Sequence, residues 1–237
     1  SYPPTPPIEV HGYCVLASPP SEAALISAGL CAACRLACEA RLDELLGRVQ
    51  RRGVDPSDEF RFAEVTHREG LRYDMPVEWT SAGNRASIPD VGTSGSPHDN
   101  DADGVFARLH EATDVVTRAA LAAVVSRTSD VRFTGIREAP MAGCVISLPQ
   151  ASAQTWHSDG DEPGLYNAFV PLISLTAANG PTELRPGTHL ANGNARGHVA
   201  PRTAPLVQAG EVLLFDYRVR HRGLANDSDK PRPVAYV

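Results

Sequence analysis

The segment Gln154-Thr-Trp-His-Ser-Asp-Gly places His157 and Asp159 two residues apart. On a strand that spacing sends both side chains to one face, about 7 Å apart along the backbone, so the two can converge on one ion. A histidine and a carboxylate at this spacing can ligate a metal. Alone the pair says little. With 8 histidines among 237 residues, such a pair arises by chance about half the time.

A third residue changes the reading. Gly210-Glu-Val-Leu-Leu-Phe-Asp-Tyr-Arg-Val-Arg-His221 reads as a glycine turn, a buried strand and a histidine at the far end of that strand. Two histidines and one carboxylate make a facial triad with three open positions, the donor set of non-haem Fe(II) oxygenases. Arg232 follows eleven residues after His221, beyond the turn Asn226-Asp-Ser-Asp-Lys-Pro. The spacing predicts two antiparallel neighbouring strands that bring Arg232 near the metal face. Its guanidinium fork suits a carboxylate held in bidentate fashion, such as a chelating 2-oxo acid would supply.

Positioning these groups requires a scaffold, and its pattern is legible. Residues 1–20 hold several prolines and read as an extended arm with a short strand at Tyr13–Leu16. Ser21–Gln50 reads as a helix opening on a Ser-Glu cap, with Ala, Leu and Cys at helical spacing. Asp55–Val77 carries no clear period. Gly83–Gly104 is rich in Gly, Ser, Pro, Asn and Asp and reads as a long loop. Phe106–Ser126 is a second amphipathic helix. From Val131 the character changes to short β-type runs: Val131–Ile136, Cys144–Leu148, Asn167–Leu175, Thr182–Arg185, Val199–Val207, Val212–Tyr217 and Pro233–Val237. Turn residues separate them, as in a sandwich or barrel. The expected architecture is one domain over 1–237, mainly β with flanking α. Residues 1–130 form a mostly helical part with the 83–104 loop, residues 131–237 form the β core, and the helices pack on one face.

Composition excludes several alternatives. The formal charge is −6 and there is no basic run, which disfavours a sequence-independent nucleic-acid binder. No apolar stretch approaches the roughly 18 residues of a membrane span. The only lysine is Lys230, in an Asp-Lys-Pro turn, which removes phosphate-loop and buried Schiff-base chemistry. Cys31, Cys34 and Cys38 share one helical face and are candidate metal ligands, but no fourth ligand lies nearby in sequence and free cysteine packs as a small apolar residue. With Cys14 and Cys144 the number is odd, against a disulfide framework and in favour of a reducing intracellular compartment.

Residues from about Val131 to Val237 resemble the Fe(II)/2-oxoglutarate-dependent oxygenases of the phytanoyl-CoA dioxygenase-like superfamily. The matching residues are His157-Ser-Asp159, Asn179-Gly-Pro-Thr-Glu-Leu-Arg-Pro-Gly-Thr-His189, the Gly210-to-His221 segment and Arg232. Leu71-Arg-Tyr-Asp-Met-Pro76 is similar to a looser N-terminal feature of the same group. The resemblance implies a double-stranded β-helix, a jelly-roll or cupin-like barrel with iron in its mouth. It implies that His157, Asp159 and His221 hold Fe(II), and that Arg232 binds the distal carboxylate of the co-substrate 2-oxoglutarate. It also implies a dioxygenase that uses O2 to hydroxylate a C–H bond of a small organic or acyl substrate, releasing succinate and CO2. Relatives that halogenate replace the carboxylate by a small residue, so Asp159 favours hydroxylation or a related desaturation or ring closure.

The strand before His157 offers only Ser147 as a further polar contact, and Gln154, Asn167, Thr182 and Glu183 are further candidates around the site. Arg185 is a candidate pocket residue. His189 is expected to stabilise its Pro-Gly-Thr-His turn, and His11, His67, His98, His110 and His198 to be surface or packing residues. Gly83–Gly104 and Leu71–Trp79 are the expected substrate cover. Two other classes remain open: a non-catalytic metal-binding or sensor protein on the same barrel, and a cupin-type metalloenzyme without a 2-oxo acid, which would have no use for Arg232.

Overall fold

The computed structural model describes residues 8–17, 25–77, 104–127, 142–190 and 201–237. A one-turn helix α1 (Ile8–His11) leads into strand β1 (Tyr13–Leu16). Helix α2 (Ala28–Arg51) starts at Ser27, whose backbone is extended and whose side-chain oxygen accepts the Leu30 amide at 3.1 Å. The cap expected at Ser21 lies outside the described residues. Strands β2 (Thr66–Arg68) and β3 (Arg72–Val77) form a hairpin, and helix α3 (Val105–Arg127) follows. The remaining strands are β4 (Ala142–Ser147), β5 (Tyr166–Pro171), β6 (Thr182–Leu184), β7 (Val212–Asp216), β8 (His221–Gly223) and β9 (Arg232–Tyr236). The run expected at Val131–Ile136 lies outside the described residues, as do His98, His198 and almost all of the 83–104 loop. From 201 to 207 only Thr203 makes a bridge, to Leu184.

Seven strands form one antiparallel sheet in the order β1-β7-β5-β9-β4-β3-β2, and β6 and β8 form a second, two-stranded sheet. The β core is not confined to residues after 131, because β1, β2 and β3 supply one edge strand and the opposite edge hairpin of the large sheet. The architecture is the expected mainly β one with helices on one face. Among the described residues the two sheets do not join into a hydrogen-bonded closed barrel.

Strand alternation sorts the side chains. On one face of the large sheet Tyr73, Met75, Cys144, Ile146, Val170 and Leu214 pack against Cys34, Cys38 and Leu42 of α2 and Phe106 and Leu109 of α3. The cysteine face of α2 is therefore part of this core. Cys38 and Cys144 stand 3.8 Å apart through sulfur, and all five cysteines are buried and outside any disulfide. Burial pushes the Cys31 thiol up to about 11, as expected of a packing group. On the other face Phe169, Leu213 and Phe215 join Leu184, Val207 and Val219 in a smaller core between the sheets. The same face carries Arg72, Ser147 and Arg232.

Candidate metal centre and co-substrate pocket

The segment carrying His157 is not a regular strand. It is held by backbone bonds to the β7–β8 region: His157 and His221 exchange N–H···O bonds at 3.1 and 2.8 Å, and the Asp159 amide donates to the Tyr217 carbonyl at 3.1 Å. The long strand expected from Gly210 to His221 is broken. β7 ends at Asp216, a turn follows, and β8 restarts at His221 in the other sheet. Arg218 closes this turn by donating two hydrogen bonds to the buried Asp216 carboxylate.

This arrangement gathers His157, Asp159 and His221 so that one ligand atom from each lies within 4.8 Å of the others. Among the described residues it is the one such group of His, Cys, Asp and Glu side chains. The Nδ1 atoms of His157 and His221 lie 2.9 and 3.0 Å from the carbonyls of Thr155 and Val219. A carbonyl only accepts, so each Nδ1 carries the proton and each Nε2 presents a lone pair. The Asp159 Oδ2 stands 3.5 Å from His221 Nε2 and accepts a 2.6 Å bond from the Asn167 amide. His221 is enclosed by Phe215, at 4.8 Å between ring centroids, and by Phe169 at 6.3 Å. Burial, followed by the neighbouring His157, pushes the His221 imidazole below its ordinary pKa, although the Asp159 charge opposes this. A neutral imidazole is the form that ligates. The Asp159 side chain is 28% exposed, so the centre is dry on the His221 side and open on the Asp159 side.

Arg232 does not arrive on a strand neighbouring the His221 strand. β9 lies between β5 and β4 in the large sheet, with Arg232 in register with Ser147, while β8 pairs with β6. The turn between them crosses from one sheet to the other, so Arg232 faces the His221 sheet instead of extending it. It is buried, and its guanidinium donates to the Gly180 carbonyl and, at 2.6 Å, to Ser147 Oγ. Its Nε is buried without a hydrogen-bond partner.

A second buried arginine was not singled out by sequence reasoning. Arg72 donates from Nε to the same Ser147 Oγ at 2.8 Å, and to the carbonyls of Ser152 and Leu224, both at 3.0 Å. Among the described residues neither guanidinium makes an ion pair with a carboxylate. Burial, and then the like charge of Arg72, pushes Arg232 down to about 9; burial pushes Arg72 down to about 10. Two paired cations without an anion are costly in a protein interior. The available signal was an arginine opening the strand Arg72–Val77, which is buried at every position.

Beside this pair, Gly223 lies two residues after His221 and leaves a cradle. A Cβ there would stand 2.9 Å from Gln154 Oε1, 3.3 Å from Arg72 Nη2 and 3.5 Å from Arg232 Nη2. The two guanidinium donors therefore converge on one point two residues from His221, with the Gln154 oxygen beside them accepting from the Gly223 amide. They fit a carboxylate, and the triad beside them fits Fe(II).

The other candidates separate cleanly. Asn167 contacts Asp159 and Gln154 lines the Gly223 cradle. Thr182 is buried opposite Gly223, and Glu183 points away to pair with Arg222 at 2.8 Å. Arg185 stacks 4.3 Å over the Trp156 ring, on the outer face of its sheet. His189 reaches the Glu9 carbonyl at 3.3 Å, away from the triad, and His67 packs between Phe60 and Tyr73.

The family model for phytanoyl-CoA dioxygenase (PhyH) matches residues 8–234. The chain belongs to the phytanoyl-CoA dioxygenase family. Among solved structures it is similar to the non-haem alpha-ketoglutarate-dependent carbocyclase SnoK from nogalamycin biosynthesis, with TM-score 0.59, 16% identity, and coverage of 97% of this chain and 81% of that one. It is also similar to the alpha-ketoglutarate-dependent epimerase SnoN of the same biosynthesis (TM-score 0.57, 16% identity, 98% and 79% covered). A third is AviO1 from Streptomyces viridochromogenes Tue57 (TM-score 0.54, 18% identity, 97% and 90% covered). SnoN has been crystallised with Fe3+, alpha-ketoglutarate and nogalamycin RO. At these identities the likeness establishes the fold, the double-stranded β-helix of this enzyme class. Family and fold together make the protein an oxygenase-type enzyme. No described helix is long and apolar enough to cross a membrane.

Proposed function

We propose that the protein is an Fe(II)- and 2-oxoglutarate-dependent dioxygenase that hydroxylates a C–H bond of a small organic or acyl molecule. In this reading His157, Asp159 and His221 hold Fe(II), and Arg232 takes the distal carboxylate of 2-oxoglutarate. The observation that carries it is the unneutralised Arg72–Arg232 pair beside three convergent ligand atoms. A cupin-type centre without a 2-oxo acid would leave both arginines without a counter-ion.

The bound metal, with O2 and the 2-oxo acid, would supply the oxidising power for C–H cleavage, the co-substrate leaving as succinate and CO2. The chain does the rest. The Thr155 and Val219 carbonyls hold each imidazole in the tautomer that ligates through Nε2. Asn167 fixes one Asp159 oxygen. Phe169 and Phe215 exclude water behind His221, and the shared Ser147 hydroxyl holds the two guanidiniums apart at a set distance. Substrate would approach from the exposed side of Asp159. The retained carboxylate leaves no position for a halide, which supports oxygenation over halogenation.

The test is an anaerobic titration with Fe(II) and 2-oxoglutarate, followed by succinate release under O2 against a panel of small molecules. The parent should develop the weak visible charge-transfer band of a chelated 2-oxo acid, and His157→Ala or His221→Ala should not. An unchanged band in both variants would overturn the assignment.

A further inference from the structure

The outer face of the β6–β8 sheet holds a charge cluster that the metal centre does not use. Alternation sends Leu184 and His221 inward, so their neighbours turn outward: Glu183 on β6 and Arg185 just after it, Arg220 just before β8 and Arg222 on it. The bridge between Leu184 and Thr203 adds Arg202 at the edge. Four guanidiniums thus share one small surface of a chain whose net charge is −6.

Their compensation is incomplete. Arg222 pairs with Glu183 at 2.8 Å, and Arg220 donates to the Trp156 carbonyl at 3.3 Å. Arg185 and Arg222 both stack on the Trp156 ring, at 4.3 and 4.8 Å from its centroid. Arg185 is only 8% exposed, yet its Nε is buried with no hydrogen-bond partner. Burial and then the charges of Arg220, Arg202 and Arg222 all disfavour its cation, with Glu183 the one opposing group. Trp156 orients two of the forks, which accounts for their geometry. It supplies no negative charge, and like charges held this close repel at a cost that a bound anion would remove.

We propose that this face is an oxyanion site that takes the phosphoryl group of a small-molecule ligand. A tetrahedral dianion offers three oxygens to forks arriving from different strands, whereas a carboxylate offers two oxygens and a single charge. A nucleic-acid backbone would call for a basic stripe along an extended surface, and this cluster is confined to two short strands and one edge residue. The site lies on the opposite side of the sheet from His221 and does not depend on the function proposed above.

Isothermal titration and thermal shift at constant ionic strength would use inorganic phosphate, butyl phosphate and a short single-stranded DNA oligonucleotide as probes. The expected result is saturable binding of a phosphate probe, accompanied by stabilisation. Arg202→Glu, at the exposed rim where folding is insensitive, should weaken it about tenfold or more, and Arg185→Gln should do likewise. Lys230→Glu, an exposed cation in another turn, should leave it unchanged. Butyl phosphate binding at least as tightly as phosphate marks the phosphoryl group of a larger ligand, and tighter inorganic phosphate marks the free anion. The proposal is overturned by absence of saturable binding, by equal affinity in Arg202→Glu, by an equal loss in Lys230→Glu, or by oligonucleotide binding without butyl phosphate binding. The inner Arg72–Arg232 pair cannot mimic an effect of Arg202→Glu, because it lies between the sheets, on the opposite side of β6–β8 from Arg202.

Discussion

Arg232→Ala isolates the distal-carboxylate contact. The change removes the guanidinium that donates to the Gly180 carbonyl and Ser147 Oγ, and leaves Ser147 bonded to Arg72. A charge-assisted hydrogen bond is worth about 1.5–3 kcal/mol, so losing one such contact to the ligand should weaken 2-oxoglutarate binding by about ten- to a hundredfold. The comparison ligand is 2-oxopentanoate, which has the same chelating head and a methyl group in place of the distal carboxylate. In the parent, anaerobic titration of the charge-transfer band should favour 2-oxoglutarate strongly. In Arg232→Ala that preference should collapse, with the 2-oxopentanoate affinity nearly unchanged and Fe(II) affinity retained. Stability should change less than two lost buried bonds suggest, because the variant also removes a buried charge from beside Arg72. Equal weakening of both acids would mean a folding defect, and an undiminished preference for 2-oxoglutarate would refute the contact.

Three other outcomes are expected. Gly223→Ala places a methyl group 2.9 Å from Gln154 Oε1 and near both guanidiniums, so it should raise the 2-oxoglutarate requirement in the same titration while leaving Fe(II) binding intact. Asn167→Ala removes the 2.6 Å bond to Asp159 and should weaken Fe(II) binding about 10- to 100-fold, measured by competition with a chelator. His221 has its pKa lowered in the folded chain, so below the ordinary imidazole value of about 6.5 the unfolded chain takes up a proton that the folded one refuses. Metal-free stability is therefore full above that pH and falls as pH drops through it. Urea midpoints between pH 8 and 5 should show that slope, and His221→Gln should flatten it.

Much of the chemistry is written locally. His157 and Asp159 sit two apart, His221 ends an apolar run after a glycine turn, and these spacings bring forward the three residues proposed as the donor set without any tertiary information. The helical face bearing Cys31, Cys34 and Cys38 was equally legible as a packing face, because its period matches one side of a helix. What the sequence could not state is which strands pair. The apolar run from Gly210 reads as one strand, but a buried Asp216 bridged by Arg218 turns the chain and hands His221 to the second sheet. Arg232 then returns in the first sheet, across the gap instead of alongside. Arg72 lies 160 residues earlier in the chain, and nothing local links it to Arg232; only the register β3–β4–β9 places both on Ser147. Ligand identity is a matter of residue type and short spacing, which a linear chain displays. The opposition of two sheets, and the meeting of two unneutralised arginines between them, depends on long-range pairing whose partners no local pattern specifies.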